Sequence, residues 1–274
     1  MHSVAEEAIE FPRTVPPNAI VPGVRNIVAI ASCKGGVGKS TVSANIAICA
    51  AQSGARIGLL DADIYGPSAH LIMGIDEQPQ LTDKDRLVPI VRHEVAVMSM
   101  GFIADENTPV VWRGPLLAQA VQQFLGQVEW GELDCLFIDM PPGTGDIPLT
   151  LSQVIALSGA VIVTTPQDVA LEDVERAIAM FGKVEVDVLG LIENMSYYDC
   201  QSCNKRHQIF GEGGGKAISR RLDIPFLGEI PITERICSGG DCGSPVGTSN
   251  ADERGIFDAL ADRVLSSLQD ASDL

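Results

Sequence analysis

The 274-residue chain is short of basic charge and of aromatic rings. It has 19 Lys and Arg against 36 Asp and Glu, a formal net charge of −17, and aromatic residues make up 5% of it. So acidic a surface repels polyanions, which excludes a broad basic face for DNA, RNA or anionic membrane. It does not exclude a ligand whose phosphates are held locally by backbone N–H groups at a helix N-terminus. The opening stretch MHSVAEEAIEFPRTVPP has acids where a signal or transit peptide needs bases, and it lacks an apolar core. The expectation is a cytoplasmic chain. Residues 147–167 carry no charge, but Pro148, Gln153, Ser158, Gly159 and Pro166 interrupt them. That stretch reads as a buried helix over 149–157 and a strand over 160–165, not as a membrane span. A disulfide framework is also excluded, since the cysteines number seven and the chain is long enough to bury a core without staples.

What is present is an ordinary globular composition, 46% hydrophobic and 20% charged. Residues 1–20, with three prolines and little periodicity, read as a flexible tail. From Asn26 onward, apolar strands alternate with helices. Strands are expected at 27–31, 56–60, 95–99, 135–139, 160–165, 186–193 and 226–229, and helices at 39–52, 116–127, 149–157, 171–182, 214–221 and 252–268. Val-, Ile- and Leu-rich strands alternating with helices give an α/β domain over 21–274, its mostly parallel sheet covered by helices on both faces. A Cys-, Tyr- and Gly-rich stretch near 195–215 breaks the alternation and reads as an insertion.

The strongest local signal is Cys33-Lys34-Gly35-Gly36-Val37-Gly38-Lys39-Ser40-Thr41, between an expected strand and an expected helix. This is the context of a phosphate-binding loop. Gly35, Gly36, Val37 and Gly38 can turn backbone N–H groups onto phosphates. Lys39 can reach the outer phosphates, and the Ser40 hydroxyl, beside Thr41, can hold Mg²⁺. Cys33 stands where the usual pattern has its first glycine. Asp61 and Asp63 close the second strand and Asp139 closes the strand Leu136-Phe137-Ile138-Asp139. Carboxylates at strand C-terminal ends face the ligand crevice of a parallel sheet, and Asp139 fits a role in holding Mg²⁺ through water.

With its additional Lys34, the loop resembles the deviant Walker A family, which includes MinD, ParA, the nitrogenase iron protein and the Mrp/ApbC cluster carriers. The resemblance implies that Lys34 reaches the phosphates of a partner subunit and that Asp63 orients the attacking water. Two further features narrow the likeness to the Mrp/ApbC branch. One is Cys200-Gln201-Ser202-Cys203 after Glu193-Asn194-Met195-Ser196, followed by Phe210-Gly211-Glu212-Gly213-Gly214-Gly215. The other is the set Trp112-Arg113-Gly114-Pro115, Asp139–Asp146 and Thr164-Thr165-Pro166-Gln167. The likeness runs from about Pro22 to the C terminus, without the small N-terminal domain that some members carry. It implies an ATP-binding, ATP-hydrolysing homodimer that holds a labile 4Fe–4S cluster at its interface and passes it to apo-proteins. In this family Asn194 matches a residue that reads the adenine edge.

A Cys-x-x-Cys pair gives two thiolates to one centre, whereas a cluster or a structural zinc takes four ligands. A two-fold axis through the pair supplies the other two. His207 reads either as a third ligand or as a solvated loop histidine. Cys237 and Cys242 read either as small residues of a nucleotide-facing loop or as a second thiol pair. Two alternatives stay open: a positioning ATPase of the MinD or ParA type, and an ATP-binding dimer stapled by zinc. A MinD-type anchor needs a basic amphipathic C-terminal helix, and the last residues here are acid-rich.

Overall fold

Runs such as Ile27-Val28-Ala29-Ile30-Ala31 leave no polar face for solvent, so they are stable only where both faces of a sheet are covered. The computed structural model describes residues 21–102 and 114–272. The expected tail over 1–20 and the Trp112-Arg113 pair lie outside them. In chain order the elements begin with β1 (Ile27–Ala31), α1 (Lys39–Gln52), β2 (Ile57–Asp61), α2 (Ala69–Ile72), β3 (Gln80–Leu81), β4 (Leu87–Val88), β5 (Ile90–Arg92) and β6 (Val95–Ser99). Next come α3 (Gly114–Gln127), β7 (Cys135–Asp139), α4 (Asp146–Val154), β8 (Gly159–Thr164), α5 (Asp168–Leu171), α6 (Val174–Lys183) and β9 (Val188–Glu193). The chain continues through β10 (Tyr198–Asp199), β11 (Arg206–His207), α7 (Gly214–Leu222), β12 (Phe226–Glu229), α8 (Glu234–Asp241) and α9 (Ala251–Ser272).

The main sheet runs in the order β12-β9-β8-β1-β7-β2-β6-β5. Its pairings are parallel except for β5, which lies antiparallel on β6. One apolar layer joins α1 and α9 to the sheet through Ile46, Ile48, Phe137, Phe257 and Leu260. The other joins α3, α4 and α6 through Val121, Phe124, Leu125, Leu151 and Phe181. Every residue of β1, β2, β7 and β8 is buried, as strands covered on both faces require.

The fold is the expected α/β architecture, and it departs from the expected elements in several places. The helix expected over 171–182 is two pieces, α5 and α6, parted at Glu172 and Asp173. The helix expected over 149–157 starts at Asp146, with Pro148 in its first turn where a missing N–H costs nothing. It ends at Val154, because Ile155 is extended. The edge strand β5 was too short to stand out in the sequence. Cys237, read as a loop residue or half of a thiol pair, lies within α8, and Cys242 follows its last residue; the helix is capped by the Thr233 hydroxyl, which accepts from Ile236 N–H at 3.1 Å.

Candidate nucleotide site and thiol hairpin

Strands β1, β2, β7, β8 and β9 are parallel, so the segments leaving their C-terminal ends share one edge of the sheet. The phosphate loop leaves β1, Asp61 and Asp63 leave β2, Asp139 ends β7, and Glu193 with Asn194 ends β9. Within the loop, Gly36 and Gly38 both take the left-handed backbone that favours glycine, and Gly38 is the more tightly hemmed in. Its φ is +81°, and a Cβ there would lie 2.3 Å from Asn194 Nδ2. The same amide donates to Val37 O at 2.8 Å, so Asn194 braces the loop from β9. Asn194, expected at the adenine edge, therefore spends its amide on the loop backbone, although it also lines the cavity beside it.

Lys39 enters the site at the start of α1. Its Nζ lies 2.7 Å from Asp139 Oδ1, with both side chains buried. Asp139 also accepts from Ser40 Oγ at 2.5 Å and from Ser43 Oγ at 2.8 Å. The sequence reading missed Ser43, although Ser40 and Ser43 are three residues apart and so share a helix face. Ser40 and Asp139 present hard oxygen donors side by side, a donor set that suits Mg²⁺. Asp61 pairs in register with Asp139 across β2 and β7. It accepts from Ser68 N–H and Ala69 N–H at 2.8 and 2.9 Å and from Asp63 N–H at 3.1 Å. Burial and then the Asp139 charge push the Asp61 carboxyl up, against the pull of those N–H groups. Burial also raises Asp63, opposed chiefly by the Lys39 charge. Asp63 faces a cavity of about 240 Å³ with Lys34, Gly35, Gly36, Gly38, Lys39, Ser40 and Thr41. A larger cavity of about 740 Å³ adjoins it through Gly38, Thr41 and Ser68, and reaches Asn194, Phe210, Ile232 and Cys237.

Lys34 does not join Lys39 on Asp139. Its Nζ donates to Val169 O at 2.6 Å and pairs with Asp173 at 3.0 Å, on the α5–α6 side of the loop. Cys33 beside it donates to Asp173 O at 3.0 Å, and burial pushes its thiol up to about 12. It is a packing residue, as are Cys49 and Cys135, whose thiols burial also raises.

The insertion is a short hairpin. Strands β10 and β11 pair Tyr198 with His207 and Asp199 with Arg206, and Cys200 N–H closes the turn onto Lys205 O at 3.0 Å. Arg206 grips Asp199 through two bonds of 2.9 Å and lies over the Tyr197 ring at 3.5 Å. The Cys200 thiol is held below its usual range, first by the backbone N–H of Cys203 and then by that of Ser202. Cys200, Cys203 and His207 bring their donor atoms within 4.8 Å of one another, with Cys203 and His207 exposed. Cys237 on α8 and Cys242 at its end lie outside that group. Buried Glu193 anchors the hairpin at both ends, accepting from Ser196 Oγ at 2.6 Å and from Gly215 N–H at 2.5 Å. A Cβ on Gly215 would lie 2.8 Å from Glu193 Oε2.

A doubly wound sheet with a glycine-rich loop between its first strand and helix, a buried lysine–aspartate pair behind it and carboxylates on neighbouring strand ends is the architecture of a P-loop nucleotide-binding protein. Residues 23–265 match the ParA-type family described as NUBPL iron-transfer P-loop NTPase, and the chain belongs to that family. It is 47% identical over 253 residues to an iron–sulfur cluster carrier protein of Pseudomonas fragi, covering 89% of this chain and 88% of that one. The iron–sulfur cluster transfer protein NUBPL of Mus musculus is 43% identical over 261 residues, covering 94% and 82%. Among solved structures, a nucleotide-binding protein of Archaeoglobus fulgidus in complex with ADP, with cobalt found, aligns with a TM-score of 0.73 and 40% identity over 81% of this chain and 88% of that one. MinD of Pyrococcus horikoshii with Mg-ADP aligns at 0.64 and 21% identity over 87% and 95%, a likeness of fold. Among the described residues, no helix is long and apolar enough to cross a membrane.

Proposed function

We propose that the chain is an ATP-dependent carrier. In this reading it holds a labile 4Fe–4S cluster as cargo between Cys200 and Cys203 of two subunits and transfers it to apo-proteins in the cytoplasm. The observation that carries the proposal is the placing of the Cys hairpin. Glu193 anchors both its ends, and the next residue, Asn194, is bonded to the phosphate loop. Nucleotide binding at the loop and metal binding at the hairpin therefore meet on adjacent residues of one strand end. Two thiolates per chain are half of a cluster's ligands, which favours a shared site on a two-fold axis and a cargo held loosely enough to leave.

A second copy of the chain is the natural cover for the same edge. Tyr65, Leu71, Val169 and Ile209, each more than half exposed, stand on the segments that follow β2, β8 and β9. Dimerisation there would free Lys34 from Val169 and Asp173 to reach the partner's phosphates. Asp63 would orient the attacking water, Ser40 and Asp139 would hold Mg²⁺, and the loop over 35–41 would hold the ATP phosphates. The products are ADP and phosphate, formed slowly and coupled to transfer. The relatives' names and the cobalt in the Archaeoglobus protein support a metal-handling role. The net charge of −17 supports neither a nucleic-acid nor a membrane partner.

Anaerobic reconstitution with iron and sulfide tests the reading. Two irons per chain, a brown dimer and activation of an apo-enzyme are expected. Zinc held tightly at half an ion per chain, on a dimer and with no cluster formed, would favour the zinc-stapled dimer instead.

A further inference from the structure

The hairpin holds more donors than a shared cluster uses. His207 stands on β11 directly across from Tyr198, and its Nε2 lies 3.4 Å from Cys203 Sγ. A tetrahedral centre with metal–sulfur bonds of about 2.3 Å and metal–nitrogen bonds of about 2.0 Å sets sulfur and nitrogen about 3.5 Å apart. The hairpin therefore already presents the Cys203–His207 edge of such a centre, with Cys200 Sγ inside the same group. Three features keep the group together without a metal. The Asp199–Arg206 pair lies next to Cys200 and His207 in the chain, Arg206 stacks on Tyr197, and Asn204 N–H bonds Cys200 O at 2.9 Å. Partners that orient ligands in this way matter to metal affinity nearly as much as the ligands themselves.

We propose that Cys200, Cys203 and His207 form a mononuclear site for a thiophilic divalent cation within a single chain, with its fourth position open to solvent. Two sulfurs and one imidazole suit zinc, ferrous iron or cobalt and not magnesium or calcium. The open position follows from geometry, since Cys203 and His207 are exposed. It gives an incoming thiolate, from a second chain or an apo-protein, a place to bind. The inference rests on reading the hairpin as metal-facing, but not on cluster transfer. A single chain with three ligands can load one metal ion before any dimer forms.

Cobalt is the probe, because a tetrahedral thiolate-bound Co²⁺ shows intense visible bands and sulfur-to-metal charge transfer. The full-length chain, anaerobic, reduced and without nucleotide, is titrated with CoCl₂ while its mass is followed by light scattering. The expected result is one cobalt per chain on a monomer with a tetrahedral spectrum. Cys200→Ser should abolish it. His207→Ala should weaken binding at least tenfold, as losing a ligand costs no less than losing its outer partner. His207→Cys should restore affinity and add a third thiolate's share of charge transfer, which a merely structural histidine would not do. Retained nucleotide binding in each variant checks folding. Half a cobalt per chain, an octahedral spectrum, or equal affinity in wild type and His207→Ala overturns the proposal. Iron and sulfide reconstitution of the wild type is read separately. Its failure removes the cluster reading and leaves the cobalt result standing.

Discussion

Lys39 and Asp139 are a buried ion pair at 2.7 Å, and Ser40 and Ser43 are Asp139's other donors. A buried pair is costly to break from one side, because the remaining charge is left without its counter-ion. Lys39→Ala should therefore destabilise the nucleotide-free protein by about 3 kcal/mol in urea unfolding. It should also lower Mg-ATP affinity at least a hundredfold by calorimetry. The lost phosphate contacts are charge-assisted, at about 1.5–3 kcal/mol each. Wild-type affinity in the variant would remove Lys39 from the phosphate site. Lys34 gives the opposite expectation. Its amine is bonded to Val169 O and Asp173, away from Asp139, and its side chain is 38% exposed. An ion pair with one partner so exposed contributes less than about 1 kcal/mol. Lys34→Ala should leave stability and ATP binding by the monomer nearly unchanged and should lose hydrolysis measured as phosphate release. Equal loss of binding in both lysine variants would end the case for a lysine that acts across a dimer.

At the scale of elements, Glu193 is the side chain that ties the hairpin to the sheet. Both its oxygens accept hydrogen bonds, from Gly215 N–H and Ser196 Oγ, and it has no solvent exposure. Glu193→Met keeps the length but removes both acceptors, leaving Gly215 N–H and Ser196 Oγ unmet, which costs about 1–3 kcal/mol for each unmet buried bond. The expected outcome is faster amide exchange confined to residues 196–215 and weaker metal retention by the Cys pair, with Mg-ATP binding kept. Exchange unchanged in that segment would mean Glu193 is not the anchor. The sequence made the phosphate loop and the buried strands legible for a local reason. Phosphate binding demands particular residues within nine positions, and a strand covered on both faces demands an unbroken apolar run. Glu193 to Gly215 and Asn194 to Val37 are contacts between segments, and no local pattern announces them. Helix α8 was hidden because Gly239 and Gly240 read as loop, whereas the Gly239 position is set by packing: a Cβ there would lie 2.7 Å from Ser244 O. His207 stayed ambiguous because only the pairing of β10 with β11 puts it beside Cys203.

At the scale of the whole molecule, the parallel sheet puts the phosphate loop, the aspartates and the Cys hairpin on one edge, since each follows a strand's C-terminal end. A two-fold axis that carries Lys34 toward a partner's phosphates therefore brings that same edge of both chains together, and with it the two hairpins. The proposed cluster takes two thiolates from each side, so a chain lacking Cys200 and Cys203 cannot be compensated by a wild-type partner. Mixed dimers test this. One differently tagged chain carries Cys200→Ser with Cys203→Ser, the other is wild type, and ATP is present to hold the dimer. The heterodimer, isolated through both tags and reconstituted with iron and sulfide, should contain no 4Fe–4S cluster. The wild-type homodimer isolated from the same mixture should contain one, or two irons per chain. The heterodimer should still bind two Mg-ATP, because the phosphate loops are untouched. A heterodimer that keeps four irons would place all the ligands in one chain, and the shared site would have to be abandoned.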